Sequence, residues 1–288
     1  MNSVAELKLH TYLEKAGKGL AGMSDDTIEM VVSHIRDALK KQFSREEDNT
    51  FRLRMSNIGR PYCQLWFQKN KPDKKVESPK KILNFMLGDI VEAVFKGLLT
   101  EAGVDFEDSK EVKLKLGKSN IKGTYDLVVN GAVDDIKSAS TWSYTNKFVS
   151  FDTVSESDPF GYVGQLAGYA EASGKKVGGW WVINKNNADF KYIPATGIDL
   201  SKEITKLKDT AKRLAKNKFE RCFKAEDETF RGKLTGNKIL GKDCSFCEFR
   251  FECWETLEEK PAVMSQAKNP KIVGYVQKKG VIYDYNNR

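Results

Sequence analysis

Two histidines, His10 and His34, are all that the 288 residues contain. A Ser-His-Asp triad or a histidine-rich zinc site therefore has almost nothing to draw on. No Gly-x4-Gly-Lys-Ser/Thr phosphate loop is present, because Gly117-Lys118-Ser119 lacks the first glycine, so no ATP motor is encoded. No apolar run approaches a membrane span. The start, Met1-Asn-Ser-Val-Ala-Glu-Leu-Lys, has no signal-peptide core, so a cytoplasmic protein is expected. Its five cysteines are then expected to be reduced thiols.

What is present fits a soluble chain able to bury a proper core, with 40% hydrophobic and 11% aromatic residues. The net charge of +8 and pI near 9.0 favour a polyanionic partner, with nucleic acid first, although a diffuse lysine surface gives the same number. Residues 1–50 read as a helical region. Ser24-Asp25-Asp26 caps and charges a helix start before an apolar-periodic run to about Phe43. His34 on that run reads as a solvated or core side chain. Residues 54–67 are aromatic-rich and carry Cys63, and Lys69 to Lys75 reads as a loop. Ser78-Pro79 opens a long helix with an expected buried stripe of Leu83, Leu87, Val91, Val94 and Leu98, closed by Gly103. Glu92 lies on the flank of that stripe, one turn after Gly88.

The centre of the chain is Lys122 to Thr141. Two β-prone runs flank Asn130-Gly131, the strongest short hairpin signal. A two-residue type I′ loop pairs Val129 with Ala132, Val128 with Val133, Leu127 with Asp134 and Asp126 with Asp135. Two carboxylates then stand opposite each other, and Lys137 shares their face. Like charges so placed repel, and a cation, either Lys137 or a divalent metal, is expected between them. An edge-strand charge pair is the plainer reading of Asp135-Ile136-Lys137 alone. A one-residue bulge would instead turn Asp134 toward the site. Before the hairpin, Glu111 to Leu116 alternates like an outer strand, and after it Ser138 to Phe148 is a polar, aromatic loop.

Gly123-Thr124-Tyr125-Asp126, nine residues, then Asp135-Ile136-Lys137 resembles the core of the PD-(D/E)XK nucleases. Gly88-x3-Glu92 resembles the first motif of the RecB-like branch, although many iron–sulphur relatives have histidine there. Asp158-Pro159 opens a further helix that stops at Gly174. Gly161, Gly164 and Gly168 lie on one face of it and allow close approach of another backbone. Gln165-x3-Tyr169 beside them is similar to the family's fourth motif. Val177 to Ile183 reads as a strand, Phe190 to Ile193 as its return, and residues 199–221 as a charged helix with a solvated lysine face. Cys244-x2-Cys247-x5-Cys253, with Cys63 upstream, resembles the iron–sulphur nucleases of this superfamily: the AddB nuclease domain, the CRISPR-associated exonucleases and phage homologues. Cys222 is left over as a buried thiol. The tail from 259 to 288, with Lys278-Lys279-Gly280, reads as a terminal hairpin or a basic DNA-touching tail.

The resemblance implies one α/β fold: a restriction-endonuclease-like mixed central sheet flanked by helices, with a C-terminal cysteine-cluster lobe. The nuclease core is expected over 51–258. It implies catalytic roles for Glu92, Asp126, Asp135, Lys137, Gln165 and Tyr169, with Mg2+ or Mn2+ on Glu92, Asp126 and Asp135. It implies a [4Fe–4S] cluster on Cys63, Cys244, Cys247 and Cys253, with zinc as the alternative. Held so, the cysteines clip a loop of about 180 residues. The activity it implies is a DNA exonuclease in phage recombination or DNA turnover, in the host cytoplasm if phage-encoded, with a possible helicase, recombinase or single-strand-binding partner. A silent nucleic-acid-binding subunit and a structure-specific endonuclease are the alternatives.

Overall fold

The computed structural model describes residues 4–43, 50–71, 79–117, 119–262 and 265–278. Helices α1 (Val4–Gly17) and α2 (Asp25–Phe43) come first. Ser24 begins α2, its Oγ accepting from Thr27 N at 3.4 Å, and Glu101 pins the same serine through its N–H at 3.0 Å. Two short helices follow, α3 (Met55–Ile58) and α4 (Tyr62–Asn70). The long α5 (Pro79–Glu101) ends in a left-handed Gly103. Ser78, expected to cap α5, lies outside the described residues, as do 72–75 of the expected loop.

The buried face of α5 is not the expected stripe. Leu83, Leu87 and Val94 are exposed, whereas Ala93, Phe95, Lys96 and Leu99 are buried. Apolar residues recur on two faces of this helix, and contact with the sheet and α2 selects one. Gly97 makes the second contact possible, since a Cβ there would press on Val31 and Thr27 of α2.

Strands β1 (Phe106–Glu107), β2 (Lys110–Leu116), β3 (Ser119–Tyr125), β4 (Leu127–Val129) and β5 (Ala132–Ala139) come next. One π-turn at Ser143–Lys147, α6 (Phe151–Glu156) and α7 (Tyr162–Ser173) then lead to β6 (Lys176–Asn184) and β7 (Phe190–Pro194). The main sheet has the order β1-β4-β5-β6-β7. Only β5 and β6 are parallel in it, and the segment carrying α6 and α7 supplies the crossover that such a pair requires. Asn130 and Gly131 both take positive φ, and the hairpin register is Leu127–Asp134, Val128–Val133, Val129–Ala132. The type I′ expectation gives these three pairs; its fourth, Asp126 with Asp135, is not formed as a strand pair, because the ladder ends at Leu127 and the Asp126 side chain takes the Ile136 N–H instead.

The alternation of β4 to β6 sorts the core into two layers. Val128, Val133, Trp180 and Val182 pack with Leu166 and Tyr169 of α7. Leu127, Val129, Ile136 and Trp181 pack with Phe95 and Leu99 of α5 and with Leu9 of α1. The protein is thus a mixed α/β structure with helices on both faces of the sheet, and the N-terminal helix closes one of them.

The start of α7 differs from expectation. Asp158 does not sit at the N-cap; Gly161 does, with φ 76°. Asp158 acts at one remove, its carboxylate accepting from Gly161 N at 3.0 Å and Val163 N at 2.9 Å. Helix α8 (Leu200–Lys216) is shorter than the expected 199–221 and stops at left-handed Asn217. Helix α4 packs on that end: Lys69 Nζ donates to Leu214 O at 2.8 Å and Trp66 Nε1 to Asn217 O at 3.2 Å.

The remaining elements are β8 (Glu226–Phe230), β9 (Lys233–Ile239), α9 (Lys242–Ser245), α10 (Arg250–Cys253), β10 (Glu258–Pro261) and β11 (Ile272–Gln277). The four strands form an antiparallel sheet of order β10-β11-β9-β8. Of the expected terminal hairpin, only its first strand is described, and it pairs with β10 and β9. Residues 279–288 lie outside the described residues.

Candidate active site

Asp126 occupies the break between β3 and β4. Its Oδ2 accepts from Ile136 N at 2.7 Å, taking an N–H that a continuing strand would have met with a carbonyl. This fixes the carboxylate beside β5. Asp135 lies on the same face of β5 as Val133 and Lys137, and it is 2% exposed. Asp134 points to the other face, where Gly179 N, Trp181 Nε1 and Tyr192 OH donate to it at 2.8, 3.1 and 2.9 Å. The β5–β6 register shifts between Val133 and Asp135. Gly178 leaves the space, because a Cβ there would collide with the Asp134 carboxylate. Asp135, not Asp134, therefore faces Asp126.

The electrostatics follow from this placement. Burial pushes the Asp126 carboxyl well above the usual range, Asp135 and Glu92 push it further, and Lys137 and the Ile136 N–H pull it back. Asp135 is raised by burial too, against the pull of Lys137. Lys137 Nζ lies 2.5 Å from the buried Asp135 Oδ2. Burial works against the Lys137 charge, but Asp135 and Asp126 outweigh it and hold its pKa above the ordinary lysine value.

Glu92 reaches this group from α5. Lys96, 2% exposed, holds it at 2.7 Å and bonds Asp108 at 2.9 Å on its other side. Gly88 brings α5 close to Ser138, directly after Lys137. Glu92 and Asp126 line a groove of about 850 Å3 whose walls also carry Lys41, Arg52, Arg54, Asn57 and Arg60. His34 is on that wall as well, 3.2 Å from Asp108. Tyr169 is a core residue whose hydroxyl is pushed up by burial and by Asp126 and Asp135, against a hydrogen bond with Gln165. Gln165 thus pairs with Tyr169.

Two residues near the carboxylates, Tyr162 and Arg60, escaped the sequence reading, while Lys147 belongs to the polar, aromatic loop it marked. Lys137 Nζ sits 5.1 Å from the centre of the Tyr162 ring, and Lys147 Nζ sits 4.8 Å from it. Arg60 is close enough to influence the Tyr162 hydroxyl, and its Nε is buried without a hydrogen-bond partner. A backbone contact places Arg60 and Tyr162. A Cβ on Gly161 would fall on the Gly59 carbonyl carbon and 2.5 Å from Arg60 N, and one on Gly164 would lie 2.8 Å from Gly59 Cα. The glycine seam expected on α7 therefore receives the Met55–Arg60 segment. The signal was there in Gly59 and Gly161, but nothing local says that they meet.

Cys63, Cys244, Cys247 and Cys253 line one small cavity, walled by Phe67, Phe223, Phe249 and Trp254. Burial, and then the neighbouring thiols, push Cys244 up to about 12 and Cys247 up to about 11. Cys222 is half-buried rather than buried, and its Sγ accepts from Cys63 N at 3.0 Å. The Trp254 indole, on the same wall, lies against Cys244 and counters part of its rise.

Among the described residues, no three His, Cys, Asp or Glu side chains converge closely enough to hold one metal ion. Both donor sets nonetheless fit a cation chemically. The buried Asp126 and Asp135 carboxylates repel each other and call for positive charge beyond Lys137, and the four thiols cannot all ionise in an aromatic cavity without a compensating charge. No described helix is long and apolar enough to cross a membrane. No family model matches the chain, and no curated protein matches it. The crystal structure of SSO0001 aligns at a TM-score of 0.40 and 18% identity, over 62% of this chain and 84% of that one, which is too loose a likeness to carry an argument.

Proposed function

We propose that the chain is a divalent-metal-dependent deoxyribonuclease, an exonuclease built on a restriction-endonuclease-like sheet of the RecB and AddB type. One observation carries the reading. Asp126, which lines the groove with Glu92, bonds the β5 backbone beside the buried Asp135, the two carboxylates repel each other, and Lys137 lies 2.5 Å from Asp135.

Glu92, Asp126 and Asp135 are the residues that would hold Mg2+ or Mn2+, since hard cations take carboxylate oxygens. When bound, such an ion supplies Lewis acidity toward the phosphoryl oxygen and lowers the pKa of a water. Lys137 keeps its proton at neutral pH, so it serves as a fixed positive charge and hydrogen-bond donor toward water or phosphate, not as a base. Arg60 offers a planar, permanently charged fork to a phosphate in the groove. Tyr162 positions Lys137 by its ring face, and its buried hydroxyl, raised by desolvation, stays neutral. The four cysteines would hold a [4Fe–4S] cluster, or zinc, that ties α4 to the C-terminal segment. Phe67 stacking on Phe249 at 5.4 Å supports that junction.

Asp135→Ala and Lys137→Ala are expected to abolish Mn2+-dependent cleavage of linear DNA. Their content of metal at the cysteines should stay unchanged, and circular dichroism should show both variants folded. Cleavage at the unsubstituted rate in both variants would sink the assignment.

A further inference from the structure

The hairpin β2–β3 stands apart from the main sheet, with one face buried and the other open. Val112, Leu114, Leu116, Ile121 and Tyr125 are buried. The alternate residues Lys113, Lys115, Asn120, Lys122 and Thr124 are exposed. Lys113 lies directly across from Lys122, a like-charge pairing that a hairpin normally avoids. Lys122 has a diagonal partner in Glu111 at 3.1 Å. Lys113 and Lys115 have none among the described residues. Residues 120, 122 and 124 share one face of β3, and Asp126 follows directly at the break that ends the strand. Thr124 already lines the groove that holds Glu92 and Asp126. Asn120 and Lys122 line the adjoining hollow with Arg52 and Arg54, which wall both spaces.

We infer that this open face is the surface on which the DNA sugar–phosphate backbone lies on its way to the carboxylates, an inference that rests on the nuclease reading. Charge complementarity selects the occupant: a polyanion relieves the Lys113–Lys122 repulsion, and no apolar patch competes for the face. The spacing suits a strand. Lys122 is about 13 Å from Asp126 along the chain and Lys115, opposite Asn120, about 20 Å. The lysines therefore meet phosphates a few nucleotides from the bond being cut and anchor the strand outside the chemistry.

The test is binding without catalysis. Fluorescence anisotropy in EDTA would follow the intact chain on a labelled strand of about 20 nucleotides and on its duplex, from about 50 to about 300 mM salt. Lys113→Gln with Lys122→Gln should lower the slope of log Kd against log salt by about 1.4 on the single strand or about 1.8 on the duplex. At 0.1 M salt this corresponds to binding weaker by roughly 25-fold or 60-fold. Lys202→Gln with Lys208→Gln removes the same charge from the exposed face of α8, and the slope should stay within half a unit of the unsubstituted chain. An unchanged slope in the hairpin variant, with DNA still bound, overturns the surface and leaves the nuclease reading standing. Equal losses in both variants overturn it in favour of diffuse attraction. An unsubstituted chain that binds no DNA overturns the surface and the nuclease reading together.

Discussion

Replacing Gly161 by alanine tests how the backbone seam builds the site. Two costs add at this position. Gly161 has φ 76°, and an L-residue pays about 1 kcal/mol in the left-handed region. The new Cβ also falls on Gly59 and lies 2.5 Å from Arg60 N, where the neighbours are backbone and cannot rotate aside. Forcing extra volume into such a contact costs about 1–3 kcal/mol, so the total is about 2–4 kcal/mol. Gly174 is the control. Its φ is 67°, but a Cβ there meets nothing within 4 Å, so Gly174→Ala should cost only the first term. Urea unfolding at 25 °C measures both, and Gly161→Ala should be the weaker by about 1–3 kcal/mol. The separation also moves Arg60 and Tyr162, the residues next to the two glycines. A shift of about 1 Å at a positioning residue can cost about 100-fold in rate, so the folded Gly161→Ala variant should cleave far more slowly than Gly174→Ala. Equal stabilities, or full activity in Gly161→Ala, would refute the claim that this seam sets the site.

Arg60→Lys keeps the charge but loses the fork, and it should reduce kcat/KM by roughly 10- to 150-fold with the melting temperature unchanged. Cys244→Ser should strip the metal or cluster, seen as loss of visible absorbance for an iron–sulphur cluster or as loss of bound zinc by elemental analysis. Releasing a loop of about 180 residues should also cost about 5 kcal/mol by the chain-entropy expression, read by urea unfolding. Glu228 tests the second sheet through pH. Burial raises its carboxyl, but bonds from Asn237, Thr235 and Tyr275 outweigh this and leave the pKa below its ordinary 4.5. A depressed carboxylate contributes stability above its unfolded pKa and loses it as pH falls through the folded value. Glu228→Gln should therefore be less stable by about 1–3 kcal/mol at pH 7, and the gap should narrow below about pH 4.5. A gap that is constant with pH would contradict this.

The central hairpin was legible because Asn130-Gly131 dictates a turn and the period of two dictates faces. That put Asp135 and Lys137 on one face, while Asp126 reaches them through a strand break and its bond to Ile136 N rather than through the expected pairing. The seam on α7 was legible as glycine spacing, but its partner Gly59 was not, and with it Arg60 and Tyr162 were missed. Contact between segments a hundred residues apart leaves no local pattern. The strands β8 and β9 were missed for another reason. Their inward side chain Glu228 is polar, satisfied by Tyr275 OH at 2.8 Å and Asn237 Nδ2 at 2.7 Å, so the alternation that marks a strand is missing. Their turn, Arg231-Gly232, has positive φ at both residues without the Asn-Gly signature. The stripe on α5 failed because its periodicity fits two faces. For the cysteines, spacing marked Cys244, Cys247 and Cys253, and only the packing of α4 on the C-terminal segment carries Cys63 to them.

The most direct test of the central claim is the fate of end-labelled linear DNA beside closed circular DNA, with anaerobically purified protein and Mn2+. Loss of the linear substrate alone, abolished by Lys137→Ala, is the expected result, and the label lost first gives the polarity. Nicking of the circle would contradict the exonuclease assignment, and survival of both substrates would contradict the catalytic reading of Asp126, Asp135 and Lys137 altogether.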